Sequence, residues 1–130
     1  MSTRYPLVML VDDNELDNFI NKKLVEADSF ASATTIHTSA QSALDYLKSQ
    51  SAETDIPDLI FLDIMMPEMD GFGFLDAFDK LPDAVKSKSR IVMLSTSDSF
   101  KDLNRANQNK YVKRFLNKPL NAQVLSALNI

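Results

Sequence analysis

The sequence predicts an α/β fold: one parallel sheet with helices on both faces. Two observations carry this. Short unbroken apolar runs at 7–11, 59–62 and 91–94 are bounded by turn residues, as strands buried on both faces are. Segments with apolar residues at helical spacing lie between the strands, so strand and helix alternate five times. Crossovers between parallel strands are right-handed, which puts helices on both sides.

The first strand, 7–11, ends in Asp12-Asp13. Leu16, Phe19, Ile20 and Leu24 then mark the inward face of a helix, with Asp13 or Asn14 as N-cap. After a connector at 28–32, residues 33–38 are β-branched but polar, which suits an edge strand. The lone His37 lies there and is expected to be exposed, without a phosphoryl or metal role. Ala40, Ala43, Leu44 and Leu47 give the next helix, and 48–57 a polar loop. The central strand begins near Asp58 and ends at Asp63. Past Gly71, residues Phe74, Leu75, Phe78 and Leu81 mark a third helix, which Pro82-Asp83 breaks or bends. Asp76 and Lys80 are expected on its solvated face.

The run Ile91-Val-Met-Leu94 leads into Ser95-Thr96-Ser97. Ser99 and Asp102 match a capping box before a weakly amphipathic helix, expected to be short or mobile, with Leu103 and Ala106 as its main apolar contacts. Residues 111–116 form the fifth strand, which ends at Asn117-Lys118-Pro119. Asn121 caps a last helix with Leu120, Val124, Leu125 and Leu128 on one face. Met65, Met66, Met69 and Met93 are expected to be packing residues.

At 130 residues the chain is expected to be one domain, with a core over about 6–129. The apolar share, 45%, and the charged share, 25%, are those of a soluble globular protein. A net charge of −4 argues against a nucleic-acid surface. The absence of cysteine removes disulfides and thiolate chemistry. There is no apolar signal segment at the start and no apolar run near the ~20 residues of a membrane span. A cytoplasmic protein with no membrane contact is expected.

In a parallel sheet the carboxyl ends of the strands share one edge, where sites are built. Asp12-Asp13, Asp63, Ser95 and Lys118 all fall there. Three gathered carboxylates need a positive charge. All-oxygen ligation suits a hard cation such as Mg²⁺, and an ammonium adds a point charge suited to a phosphoryl oxygen. A carboxylate so placed is a nucleophile toward phosphorus, giving an aspartyl phosphate.

These residues, with the segment Asp63-Ile-Met-Met-Pro-Glu-Met-Asp-Gly71 and Lys118-Pro119, resemble the receiver domain of two-component response regulators. The resemblance covers essentially the whole chain, and five motifs in this order are specific. It implies the flavodoxin-like sheet of order 2-1-3-4-5. It implies Asp63 as phosphoacceptor, Asp13, Asp63 and the main-chain carbonyl of Met65 as Mg²⁺ ligands, and Asp12 acting through water; Mn²⁺ or Ca²⁺ can substitute. It implies that Lys118 bonds a phosphoryl oxygen and that its bond to Pro119 is cis. Ser95 supplies the switch hydroxyl, with Thr96 one residue out of register, and Phe115 is the switch aromatic. The family has Thr more often at the first position and often Tyr at the second; Phe115 cannot donate the hydroxyl hydrogen bond of Tyr.

The implied function is a phosphorylation-activated switch in a bacterial His-Asp phosphorelay, with a sensor histidine kinase or phosphotransfer protein as donor. No output domain is expected after residue 130, so output passes through protein contact at the face 99–128, as a monomer or a phosphorylation-dependent dimer. Met65, apolar and two residues past the acceptor, is expected to prolong phosphoryl lifetime. Two other classes compete. A Mg²⁺-dependent aspartyl-phosphate phosphatase would carry Asp-x-Asp after the first strand, where this chain has Asp12-Asp13-Asn14. A phosphorylation-independent binding module has no need of the full set of site charges.

Overall fold

The computed structural model describes residues 4–27, 30–50, 52–96 and 100–128. Five strands form one parallel sheet: β1 (Tyr5–Val11), β2 (Ala31–His37), β3 (Leu59–Asp63), β4 (Arg90–Ser95) and β5 (Val112–Asn117). Their order is β2-β1-β3-β4-β5. The apolar runs are thus the three interior strands, and the polar strand lies at an edge. Among the described residues six α-helices flank the sheet: α1 (Glu15–Glu26), α2 (Ala40–Ser49), α3 (Gly71–Phe78), α4 (Asp83–Lys88), α5 (Phe100–Asn107) and α6 (Ala122–Ala127). The break at Pro82 therefore opens a further short helix, α4, with Pro82 as its N-cap residue.

Alternation along each strand divides the core in two. Met9, Val11, Ile60, Leu62, Ile91 and Met93 face one way, against α2, α3, α4 and α5. Val8, Leu10, Leu59, Phe61, Val92 and Leu94 face the other way, against Val25 of α1 and Leu125 of α6. Burying both faces is what lets these strands be apolar without interruption.

Two expectations about side chains are corrected. Leu16, Phe19 and Ile20 are 65%, 56% and 49% exposed, while Asn18, Asn21 and Val25 are buried. The helix is turned by its polar ties: Asn14 caps it by accepting from the amide of Asp17 at 3.0 Å. Asn18 Nδ2 donates to the main-chain oxygen of Asp12 at 2.8 Å, which fixes the polar side inward. His37 is half-buried rather than exposed. Its ring lies against Tyr46 and is hydrogen-bonded to Thr35 and Ser42, and burial holds its pKa below the ordinary value.

The remaining elements follow the sequence closely. Ala40, Ala43, Leu44 and Leu47 are the buried residues of α2. Phe74 and Phe78 are fully buried. Asp76 and Lys80 are exposed, with Lys80 in the turn beyond α3. Asn121 caps α6 by accepting from Val124. The expected cap Ser99 and the residues Ser97 and Asp98 lie outside the described residues. No helix among the described residues is long and apolar enough to cross a membrane.

Candidate functional site

The site lies at the carboxyl edge of β1, β3, β4 and β5. Asp12 follows β1 and Asp63 closes β3; both are almost fully buried, while Asp13 beside them is exposed. By strand alternation Asp12 follows Leu10 and Asp63 follows Phe61, so both carboxylates are on the α1–α6 side. One carboxylate oxygen from each of Asp12, Asp13 and Asp63 lies within 4.8 Å of the others. The donor set is all oxygen and carries three negative charges. That fits a hard divalent cation with open positions, and Mg²⁺ matches it better than a soft metal.

The three carboxylates are not equivalent. Asp12 is already committed: Oδ1 accepts from the amide of Asn14 at 2.9 Å, and Oδ2 accepts from Lys118 Nζ at 2.5 Å. Such a group is better placed to act on a metal through water than directly. Asp63 shares the same cation, with Oδ1 3.2 Å from Lys118 Nζ. Burial pushes the Asp63 carboxyl up to about 6. The charge of Asp12 adds to that, Lys118 opposes it, and Asp13 contributes a further upward push.

Lys118 follows β5 in a bend, and its amide donates to Ser95 O at 2.8 Å. Its bond to Pro119 is cis, as expected. Burial disfavours its charged form, but Asp12, Asp63 and Asp17 outweigh this, and its pKa stands above the ordinary value. Asp17 Oδ2, 3.2 Å from Lys118 Nζ, is a site residue that the sequence reading missed. The available signal was its place in the first turn of α1, three residues after the cap Asn14, where an acid faces the same edge.

The loop after β3 is shaped by close contact. Gly71 donates its amide to Ile64 O at 2.8 Å. A Cβ at Gly71 would stand 2.8 Å from Asp63 O and 2.9 Å from Met93 Cε, so only glycine fits. Glu68 takes a left-handed backbone, φ 69°, and Asp70 caps α3 through the amide of Gly73 at 2.8 Å. Met65 is not a packing residue: it is 68% exposed, two residues past Asp63. Met66 and Met93 are buried, and Met69 packs partly on the core.

Ser95 is buried at the end of β4 and pairs in register with Asn117, while Phe115 pairs with Met93 and packs partly on the α2–α5 core. Ser95 follows Met93 by two and so shares that side of the sheet with Phe115. Thr96 is exposed. It borders a cavity of about 230 Å³ lined also by Asp17, Ile20, Asn21, Lys118 and Pro119. Ser95 and Thr96 thus stand on opposite sides of the strand end.

Comparison with known proteins shows the family and the fold. Residues 8–128 match the family model of the response regulator receiver domain. A response regulator receiver protein from Dyadobacter fermentans DSM 18053 is 35% identical, with 92% of this chain and 91% of that one covered and a TM-score of 0.82. A two component response regulator from Cytophaga hutchinsonii is 28% identical, covering 95% and 92%, with a TM-score of 0.83. A protein-glutamate methylesterase/protein-glutamine glutaminase 2 of Shewanella sp. (strain MR-7) is 38% identical over 73 residues, 56% of this chain. That match spans 19% of the relative, so the chain corresponds to about a fifth of it.

Proposed function

Because the chain belongs to the response regulator receiver family, whose members are signalling switches of two-component systems, we propose that it accepts a phosphoryl group on Asp63. The donor is a histidine kinase or a phosphotransfer protein. The convergence of Lys118 on Asp12 and Asp63, beside Asp13, is the observation that supports this. On this proposal Asp63 is the nucleophile, Asp13 and Asp63 are the metal-binding acids and Lys118 is the fixed cation.

In this reading Asp13 and Asp63, with the carbonyl of Met65, would hold Mg²⁺, and Asp12 would act through water. The metal supplies charge stabilisation for the transferring group. A carboxylate oxygen of Asp63 attacks phosphorus; the P–N bond to the donor imidazole breaks and its electron pair stays with nitrogen. Lys118 exchanges carboxylate contacts for a phosphoryl oxygen, as a point charge can without rebuilding its surroundings. The hydroxyl of Ser95 moves toward the new anion, and Phe115 turns inward behind it. Thr96 governs access beside Lys118. The product favours one of two arrangements of α5, β5 and α6, a population shift that exposes a different face over 99–128 to a target protein.

The donor's approach is supported by α1. Leu16, Phe19 and Ile20 form an exposed apolar strip, and Ile20 reaches the cavity at the site mouth. Such a strip marks a protein contact.

Incubation with Mg²⁺ and acetyl phosphate, read by intact mass, tests the proposal. One phosphoryl adduct per chain is expected, absent in Asp63→Asn. Steady turnover of phosphomonoesters would instead support a phosphatase, and no adduct with any phosphodonor or kinase defeats the reading.

A further inference from the structure

Lys118 Nζ meets three carboxylates, and only two of them belong to the acid cluster that can hold a cation. Asp12 Oδ2 lies at 2.5 Å and Asp63 Oδ1 at 3.2 Å. The third, Asp17 Oδ2 at 3.2 Å, comes from the first turn of α1 and stands outside the cluster of Asp12, Asp13 and Asp63. An ammonium has three N–H groups and accepts nothing, so three acids fill its donor capacity. Asp12 and Asp63 are almost fully buried, whereas the Asp17 side chain is 39% exposed. Asp17 is itself held in place. Its amide donates to Asn14 Oδ1 at 3.0 Å, and the neighbouring Asn18 pins α1 to Asp12 O at 2.8 Å. Beside the ammonium lies the cavity of about 230 Å³ that Asp17, Thr96 and Pro119 border. Without an acceptor at position 17, one N–H of Lys118 would turn into that cavity and to water.

We infer that Asp17 is a positioning residue for phosphoryl transfer: with Asp12 it fixes two N–H groups of Lys118, so that the third points at Asp63 and, after transfer, at a phosphoryl oxygen. The inference deepens the receiver reading and rests on it. A donor aimed beforehand at the place where charge develops needs no reorganisation during the reaction. Two plainer roles fit the residue less well. An acid in the first turn of a helix favours the helix dipole, but that role needs no contact with a residue 101 positions away. An ion pair could tie α1 to the end of β5, but Asn18 and the buried Val25 already hold the helix, and a part-exposed pair adds little. The charge of Asp17 also repels an anionic phosphodonor, so its loss would speed labelling if charge decided the outcome. Solvent screens a carboxylate this exposed, and orientation therefore decides.

The test uses the full chain. In metal-free protein the Lys118 ammonium should give a sharp ¹⁵Nζ–¹Hζ resonance, because all three hydrogens are engaged. In Asp17→Ala it should broaden or vanish through faster hydrogen exchange with water. Labelling by acetyl phosphate, in which Asp63 attacks phosphorus and acetate leaves, is followed by intact mass at saturating Mg²⁺. The maximum rate should fall by about threefold to tenfold in Asp17→Ala, and added Mg²⁺ should not restore it. Asp17→Asn lacks the charge, but its amide oxygen still accepts from the ammonium, so it should recover most of the lost rate and of the resonance. The dipole and charge readings instead make the Asn and Ala variants alike. The inference is overturned if Asp17→Ala labels at the wild-type rate or faster, if higher Mg²⁺ restores its rate, or if Asp17→Asn is as slow as Asp17→Ala. A wild-type chain that takes no label sinks the receiver reading, whereas equal labelling of wild type and Asp17→Ala sinks the role of Asp17 alone.

Discussion

Lys118 Nζ stands 3.2 Å from Oδ1 of Asp63, across an intervening strand and 55 residues of sequence. The same ammonium contacts Asp12 and Asp17. A single cation therefore holds three acids, and with Asp13 beside them its charge leaves the pocket strongly negative. Without a metal the surplus is a standing cost to the fold, and with one it becomes the binding energy for the cation.

The first prediction follows from the sign of that cost. Folding raises the Asp63 carboxyl from 3.8 to about 6. A raised acid contributes stability fully below its unfolded value, and the contribution is lost as pH climbs through the folded value. Metal-free protein should thus lose stability between about pH 4 and pH 6 through this residue. Asp63→Asn should gain about 1 to 3 kcal/mol over wild type at pH 7 without metal, since each unit is worth about 1.4 kcal/mol, and little or nothing at pH 4. Urea denaturation at the two pH values checks this, and Mg²⁺ should narrow the difference at pH 7. An Asp63→Asn chain that is less stable than wild type at pH 7 would contradict it.

A second prediction concerns α1. Leu16 and Phe19 are exposed by more than half, so Leu16→Gln with Phe19→Gln should change stability by less than about 1 kcal/mol. Acetyl phosphate should label the variant like wild type, because the acid pocket is untouched. Transfer from a phosphorylated histidine kinase that labels the wild-type chain should fall by about tenfold or more, since central aromatic and apolar contacts dominate such interfaces. Parallel loss with both donors would mean that the strip supports the pocket rather than the donor.

The α1 result also shows where sequence reasoning reached and where it stopped. The parallel sheet, the edge position of β2 and the gathering of Asp12, Asp13, Asp63 and Lys118 were legible, because unbroken apolar runs end in charged residues and parallel strands align those ends; the full strand order came only from the resemblance to receiver domains. The rotation of α1 was not. Leu16, Phe19 and Ile20 have the period of a buried stripe, yet Asn18 and Asn21 are the buried residues. Periodicity measures amphipathic segregation. It cannot say which face turns inward when a hydrogen bond to the Asp12 main chain decides the matter. Asp17 was missed for the same reason, as its role depends on that rotation. The exposure of Met65 was hidden too, since an apolar residue in a loop carries no period.

Gly71→Ala gives a third prediction. The added Cβ would lie 2.8 Å from Asp63 O and 3.0 Å from Ile64 Cα, both backbone atoms that cannot swing aside. The chain would relieve the clash by moving the end of β3 away from α3. A loss of about 1 to 3 kcal/mol is expected by analogy with overpacked cores, along with slower labelling by acetyl phosphate, because Asp63 itself is displaced. Gly73→Ala is the control. Its nearest neighbour is the Met69 side chain at 2.9 Å, which is flexible, so its effect on labelling should be smaller. Equal labelling defects in the two variants would show that the helix start, rather than contact with Asp63, is what matters.

The last prediction concerns the lifetime of the phosphorylated state. Met65 stands two residues past Asp63 and is 68% exposed, so its side chain is not needed for the core. A thioether accepts hydrogen bonds only weakly, and it offers little to orient a water for attack on the phosphoryl group. Met65→Asn puts an amide donor and acceptor at the same position. Its stability should differ from wild type by less than about 1 kcal/mol, as for other exposed positions, and its metal binding should be retained if the backbone carbonyl of residue 65 is the ligand. Autodephosphorylation followed by intact mass should be several-fold faster than in wild type, with Met65→Leu staying close to the wild-type rate. An unchanged or slower rate in Met65→Asn would place control of the lifetime elsewhere in the pocket, with Thr96 beside Lys118 the next residue to exchange.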